Sequence, residues 1–291
     1  MRKRLKGILG RILLAAGLIY LVICVSLFSL QTWMIFPGAD TQGRPGSVVR
    51  PDSHERLLEL TAPDGVKIAA LYGNALTPQA ADRPDAVTRP TIIYFYGNAM
   101  CVADCHPTFY DFRKLGFNVI IPDYEGYGMS GGKAGEKGCY AAADAAYDWL
   151  LKSADVDPHK IVAAGWSLGA GVAFDLASRK NIAGVASFSA YSSIADMGKH
   201  LYPWLPVSLL VRHRFDNLKK IAQIKCPVLL VHGEQDDIVP HAMSDRLSAA
   251  GGAKVQRIDV AHAAHNDIFD VGGETLLEQF RQFVESLLPT P

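Results

Sequence analysis

Apolar residues fall into two regimes along this chain. An uncharged apolar run covers Ile12 to Leu30, and after it come short apolar runs separated by polar stretches rich in Gly and Pro. The short runs are Arg56–Thr61, Val66–Tyr72, Thr91–Phe95, Asn118–Pro122, Ile161–Ala164, Gly184–Phe188, Pro227–Val231 and Lys254–Val260. The central ones are almost wholly apolar, as strands buried on both faces require. Helical periodicity is clearest over Tyr110–Leu115, Glu136–Ser153, Leu168–Ser178 and Glu274–Leu288. Only Ala62–Gly65 separates the first two strands, and its Asp64-Gly65 pair predicts a hairpin. Later strands alternate with helices, which calls for parallel crossovers. The pattern predicts an α/β fold: one eight-stranded, mostly parallel, doubly wound sheet with an antiparallel start. Gly38–Pro51 reads as a linker and Thr77–Pro90 as a surface loop. No internal repeat is visible.

The first run has the dimensions of a membrane span. Its 19 residues would extend about 28 Å as a helix, close to the thickness of a bilayer's hydrocarbon. Signal-peptide cores are shorter. The exit lacks a small-x-small cleavage pattern, and Cys24 follows Ile23, which disfavours a lipoprotein site. A retained anchor is expected, with residues 1–35 as basic N-terminus and span, 36–55 as linker and 56–291 as the catalytic domain. Basic residues remain cytoplasmic, so the domain is expected outside, in the periplasm if the source has two membranes. Trp33 and Phe36 sit where interfacial aromatics belong.

Charge sharpens this division. The net charge is zero, from 29 basic and 29 acidic residues. Arg2, Lys3, Arg4, Lys6 and Arg11 all precede the first acid, leaving 24 bases against 29 acids in the remainder. An acidic domain excludes nucleic acid as its main partner. With 49% hydrophobic residues the chain holds a sizeable core, and its five cysteines are too few for a disulfide scaffold.

The strongest chemical signal is Gly165-Trp166-Ser167-Leu168-Gly169 between a predicted strand and a small-residue helix. That context suits a nucleophile elbow, which lifts the Ser167 hydroxyl onto a helix N-terminus and leaves the Leu168 N–H free for an oxyanion. A serine hydroxyl needs a base, and an acid to orient that base. In this topology the base comes last in the chain. His262 and His265 both lie beyond the last strand, whereas His232 reads as structural. The acid belongs in the loop after the Pro227–Val231 strand, where Asp236 is preferred and Asp237 would cap the next helix. The second oxyanion donor is expected from Tyr96-Gly97-Asn98-Ala99, with the Asn98 N–H as candidate and Gly97 giving the substrate close access to the backbone.

Taken together, these motifs resemble the α/β-hydrolase superfamily over roughly residues 36–288, and more narrowly its single-pass, membrane-anchored serine hydrolases, whose eukaryotic relatives include protein depalmitoylases. The family's His-Gly-Asn-Ala loop is matched by Tyr96-Gly97-Asn98-Ala99. Its Asp-Tyr-x-Gly-Tyr-Gly-x-Ser stretch is matched by Asp123 to Ser130. Its His-Gly-x-x-Asp-x-x-Val-Pro motif selects Asp236, and its Gly-His-Asn-Asp context selects His265. Tyr96 replaces the usual histidine, so the hydrogen bonding of that loop is expected to differ. Glu125 stands where a basic residue is common, which changes the charge expected beside the entrance.

The resemblance implies an esterase, thioesterase or lipase-like enzyme acting on a small-molecule or acyl substrate. A serine aminopeptidase and a non-catalytic binding module of the same fold are the alternatives. No metal or organic cofactor is expected, and the oligomeric state is open. Fewer than forty residues separate Phe188 from Pro227, short for a full cap. Within them, Leu201–Val211 is apolar and could line an acyl pocket, touch a membrane or simply pack as a short helix. Cys101 and Cys105 are read as unpaired thiols with a disulfide as the alternative, and Cys139 and Cys226 as small buried apolar residues.

Overall fold

The computed structural model describes residues 2–52 and 54–288. Helix α1 (Arg2–Ile35) leads into β1 (Arg56–Thr61), β2 (Lys67–Gly73), β3 (Thr91–Phe95), α2 (His106–Lys114), β4 (Asn118–Pro122) and α3 (Glu136–Leu150). Next come β5 (Ile161–Trp166), α4 (Leu168–Arg179), β6 (Gly184–Phe188), α5 (Ile194–Leu201), α6 (Val207–Leu210) and α7 (Asn217–Gln223). The chain closes with β7 (Val228–Gly233), α8 (His241–Gly251), β8 (Val255–Val260) and α9 (Ile268–Ser286).

The eight strands form one sheet in the order β1-β2-β4-β3-β5-β6-β7-β8. β1–β2 and β2–β4 are antiparallel and the remaining pairs parallel, as the apolar pattern predicts. The hairpin turns where Gly65, at φ +89°, donates its N–H to the Ala62 carbonyl (2.9 Å). Every residue of β3, β4, β6 and β7 is buried, which is why these runs carry no polar alternation. Edge strand β8 is only half-buried.

The helices α5 to α8 are not among the elements expected from periodicity. α2 begins at His106 rather than Tyr110, with Pro107 in its first turn. The helix expected from Glu274 is the second part of α9, set off by non-helical backbone at Gly273. The expected linker is not free chain. Residues 37–47 form two 3-10 turns, and the N–H groups of Gly38 and Gly43 donate to the carbonyls of Asn98 and Gly128 (2.9 Å each).

Helix α1 is long and apolar enough to cross a membrane. Its last turns nevertheless join the domain. Cys24 forms a small apolar cluster with Leu205 and Val207, and the buried Gln31 amide donates to the Leu210 carbonyl (3.0 Å) while accepting the Arg212 N–H (2.7 Å).

Candidate active site

The parallel strands all end at one edge of the sheet, where α/β folds bind ligands. Ser167 follows β5, Asn98 lies beyond β3, Asp236 beyond β7 and His265 beyond β8. Ser167 stands at the N-cap of α4 with φ +53° and ψ −116°, a backbone region costly for any residue but glycine. Its N–H is held by the Phe188 carbonyl (2.9 Å). The turn closes so tightly that a Cβ on Gly165 would stand 2.2 Å from the Gly169 carbonyl oxygen.

The structure brings together Ser167, His265 and Asp236. Oγ of Ser167 is 2.9 Å from His265 Nε2, and His265 Nδ1 is 2.8 and 3.1 Å from the two Asp236 oxygens. A carboxylate only accepts, so the imidazole proton belongs on Nδ1 and Nε2 is free to accept from the serine. Burial opposes charge on Asp236. Hydrogen bonds from His265 and from the N–H groups of Val239 (2.7 Å) and Ile238 (3.0 Å) outweigh it and hold the carboxyl below its usual range. The loops carrying Asp236 and His265 are tied together, since the Gln235 N–H donates to the Ala263 carbonyl (2.9 Å). The Trp166 indole donates to the His265 carbonyl (3.3 Å).

The other candidates are placed differently. His262 is exposed, with Nδ1 near Gln235. His232 is structural, as expected: its Nε2 lies 3.0 Å from the Val239 carbonyl and 3.4 Å from Asp236 Oδ2, and burial lowers its pKa. Asp237 is exposed and does not cap α8, whose N-cap is Pro240 with no side-chain hydrogen bond. Cys101 and Cys105 are free thiols, bonded to the Asp104 carboxylate and the Cys101 carbonyl. Cys139 is buried and Cys226 half-buried.

The loop beyond β3 is held by a residue that sequence reasoning did not single out. Buried Asp123 accepts from the Tyr96 hydroxyl (2.9 Å) and from the N–H groups of Val102 (2.8 Å) and Met129 (2.9 Å). Burial still pushes its carboxyl up. Tyr96 thereby bridges the end of β3 to the loop after β4. The Tyr124 N–H donates to its hydroxyl (3.1 Å) and the Tyr124 hydroxyl to its carbonyl (2.8 Å). Gly97 makes room for a ring rather than for substrate, since a Cβ there would meet Trp166 at 2.8 Å. Among the described residues, the backbone N–H groups of Asn98 and Leu168 have no protein acceptor, and both residues border the same cavity as Ser167.

That cavity measures about 270 Å³ and its lining contains no Asp, Glu, Lys, Arg or His. Its far walls are Met197, Tyr202 and Leu205 from the β6–β7 connection and Leu27, Met34 and Ile35 from α1. Glu125 does not stand beside this entrance. It is buried against Gly132 and Gly138, with Oε1 unpaired.

Burial, reinforced by Asp64, raises the Glu125 pKa to about 7. A raised acid keeps its proton in the fold while the unfolded chain ionises, so stability falls as pH climbs from about 4.5 to about 7. Glu125→Gln is therefore expected to match wild type at pH 4 and to be the more stable of the two at pH 8. Urea unfolding at both pH values checks this, and equal differences at both would contradict it.

The model of the dienelactone hydrolase family matches residues 109–265. An uncharacterized protein of Mycobacterium tuberculosis is 39% identical over 170 residues, covering 58% of this chain and 60% of the relative. The alpha/beta hydrolase domain-containing protein aho-3 of Caenorhabditis elegans is 29% identical over 204 residues, covering 70% and 60%. The chain thus spans about 60% of the length of these curated relatives. Among solved structures, the Pyrococcus furiosus esterase Pf2001 superposes with a TM-score of 0.67 at 20% identity, over 83% of this chain and 96% of the esterase. A puromycin-hydrolyzing peptidase of M. tuberculosis superposes with a TM-score of 0.64 at 18% identity, over 83% and 41%. These two likenesses concern the fold alone.

Proposed function

The chain belongs to the dienelactone hydrolase family of the α/β-hydrolase superfamily, and from that premise we propose that it is a serine hydrolase cleaving carboxylic esters or thioesters of acyl groups through an acyl-enzyme. His265 removes the Ser167 proton as Oγ attacks the carbonyl carbon. Asp236 orients the imidazole and supports its positive charge. The N–H groups of Leu168 and Asn98 receive the developing oxyanion, where loss of one donor typically costs about 10²–10³-fold in kcat. The imidazolium then protonates the leaving alcohol or thiol, and water, activated by the same base, releases the acid.

The observation that carries this reading is where the hydrogen-bonded Ser167–His265–Asp236 chain opens: into an apolar cavity whose lining holds no charged side chain. An aminopeptidase needs a carboxylate to receive a free α-amino group, and Glu125, the acid that could have served, lies outside the cavity. Acyl substrates therefore fit better than peptides. We assign residues 1–35 to a membrane anchor, 36–55 to a linker and 56–291 to the catalytic domain. The basic N-terminus supports a cytoplasmic start and an extracytoplasmic domain.

A panel running from acetyl to palmitoyl esters and thioesters, beside aminoacyl amides, tests the substrate class with Ser167→Ala as control. Turnover of the acyl compounds should exceed that of the amides and rise with chain length beyond acetyl. Faster hydrolysis of the amides would overturn the assignment.

A further inference from the structure

The β6–β7 connection and α1 carry a second pattern. Residues 201–211 include no charge, and basic side chains flank them on both sides: Lys199 and His200 before, Arg212, His213 and Arg214 after. Leu201, Trp204 and Leu209 are exposed, Leu209 by 85%. Large apolar side chains standing together in solvent mark a contact surface. The partner can be read from the helix they lie against.

Depth along α1 provides a ruler. Its apolar run begins after Arg11 and meets the polar pair Gln31-Thr32 after Leu30, and a helix rising 1.5 Å per residue reaches Tyr20 about 14 Å above Arg11, near the midplane of a hydrocarbon layer about 30 Å thick. Trp204 lies against Tyr20, with ring centroids 6.1 Å apart and the rings tilted, and its carbonyl accepts from the Tyr20 hydroxyl (3.2 Å). Leu205 and Val207 pack on Cys24. The basic flank begins where the apolar stretch of α1 stops. The Arg212 N–H donates to Gln31, and His213 Nε2 lies 2.9 Å from the Thr32 hydroxyl. The polar Gln31-Thr32 step in α1 thus stands level with the start of the basic flank, two segments far apart in sequence. An aqueous surface would give no reason for this alignment.

We propose that residues 201–211 enter the hydrocarbon of the leaflet on the domain's side, and that the site takes the acyl chain of an amphiphile directly from that leaflet. The proposal rests on the hydrolase reading above and on α1 as a span. Lys199, Arg212 and Arg214 lie at headgroup level, where their charge meets lipid phosphates. Leu27 and Met34 of α1 and Leu205 and Leu210 of the inserted segment wall the cavity that ends at Ser167. An acyl chain entering between them would stay out of water from the bilayer to the nucleophile. The Gln31 amide holds the two walls together by pairing with both the Leu210 carbonyl and the Arg212 N–H, as a neighbouring strand would. The substrate class is therefore a bilayer-resident acyl ester or thioester, not a soluble short-chain ester.

The test uses the full chain reconstituted in phosphatidylcholine vesicles. Two probes are 4-methylumbelliferyl acetate, soluble in water, and 4-methylumbelliferyl palmitate, held in the bilayer. Trp204 and Leu209 do not line the cavity, so the double variant Trp204→Glu, Leu209→Glu should leave acetate hydrolysis unchanged. Placing two carboxylates in hydrocarbon should lower palmitate hydrolysis about tenfold or more. Equal palmitate rates in variant and wild type would overturn the proposal while leaving the hydrolase reading intact. Wild type inert to both esters would instead defeat the hydrolase reading. Insertion is read separately with phosphatidylcholine brominated in mid-chain. Replacing Trp204 by Phe should remove a strongly quenched part of the emission, and an unquenched Trp204 would overturn insertion even if the double variant failed to fold. A change of oligomeric state in the double variant, with palmitate hydrolysis unchanged, would make the patch a contact between copies of this chain and also overturn the proposal.

Discussion

Ser167→Ala should lower kcat on an acyl ester by about 10⁴-fold or more and abolish labelling by a fluorophosphonate probe, while its thermal midpoint stays within a few degrees of wild type. The loss follows from geometry. Oγ is the one oxygen 2.9 Å from His265 Nε2 at the head of the cavity, and alanine keeps the backbone of the elbow while removing it. His265→Ala should cost nearly as much, because an unassisted serine hydroxyl is a poor nucleophile. The informative measurement is the double variant. Groups that act as one unit are strongly non-additive, so Ser167→Ala with His265→Ala should be no slower than either single change. Multiplicative losses would mean that the two residues act independently, and the relay described above would be wrong. Failure of well-folded wild type to react with the probe would favour a binding module instead.

What the sequence disclosed and what it hid have physical causes. Strands β3 to β7 were legible because burial on both faces forces an unbroken apolar run. The elbow was legible because its turn admits only small residues at two fixed positions. The choice between His262 and His265 was not available from residue chemistry. Both lie beyond the last strand, and resemblance to a family made the selection that the Ser167–His265 distance is consistent with. Asp123 stood in plain view within the Asp123–Ser130 motif, but its work of accepting Tyr96, Val102 and Met129 together depends on contacts distant in sequence.

The charge expected at Glu125 failed for a similar reason. Position along the chain gives no sign that Gly132 and Gly138 leave room for its carboxyl to turn inward. The part played by α1 in the cavity was least legible. A helix apolar on all sides has no preferred face, so nothing in residues 12–30 distinguishes the side facing Leu205 from the side left open. Gln31 is a clue, a polar residue at the end of an apolar run, and its meaning appears only once Leu210 and Arg212 stand opposite.

Gly169→Ala should be strongly destabilising. Helix propensity alone argues the other way, since alanine is favoured over glycine inside a helix by about 1 kcal/mol. The added Cβ, however, would stand 2.0 Å from the Phe95 carbonyl oxygen and 2.4 Å from its carbon. Those atoms cannot swing aside. Phe95 ends β3, a fully buried strand paired with both β4 and β5, so relief requires moving α4 and the sheet apart. A clash between backbone and backbone at this depth places the cost at about 3 kcal/mol or more, against a propensity gain about one third as large. Gly171→Ala provides the comparison within the same helix. Its Cβ would meet the Tyr191 hydroxyl at 2.7 Å and the Phe215 ring at 2.9 Å, which are side-chain atoms able to shift, so its loss should be smaller. Urea or thermal unfolding of the two variants should rank them in that order. The folded fraction of Gly169→Ala should also be nearly inactive, because separating α4 from β3 moves the Leu168 N–H away from the Asn98 loop. A Gly169→Ala protein as stable and active as wild type would show that β3 and α4 do not pack this closely, and the oxyanion site built on their contact would fall with it.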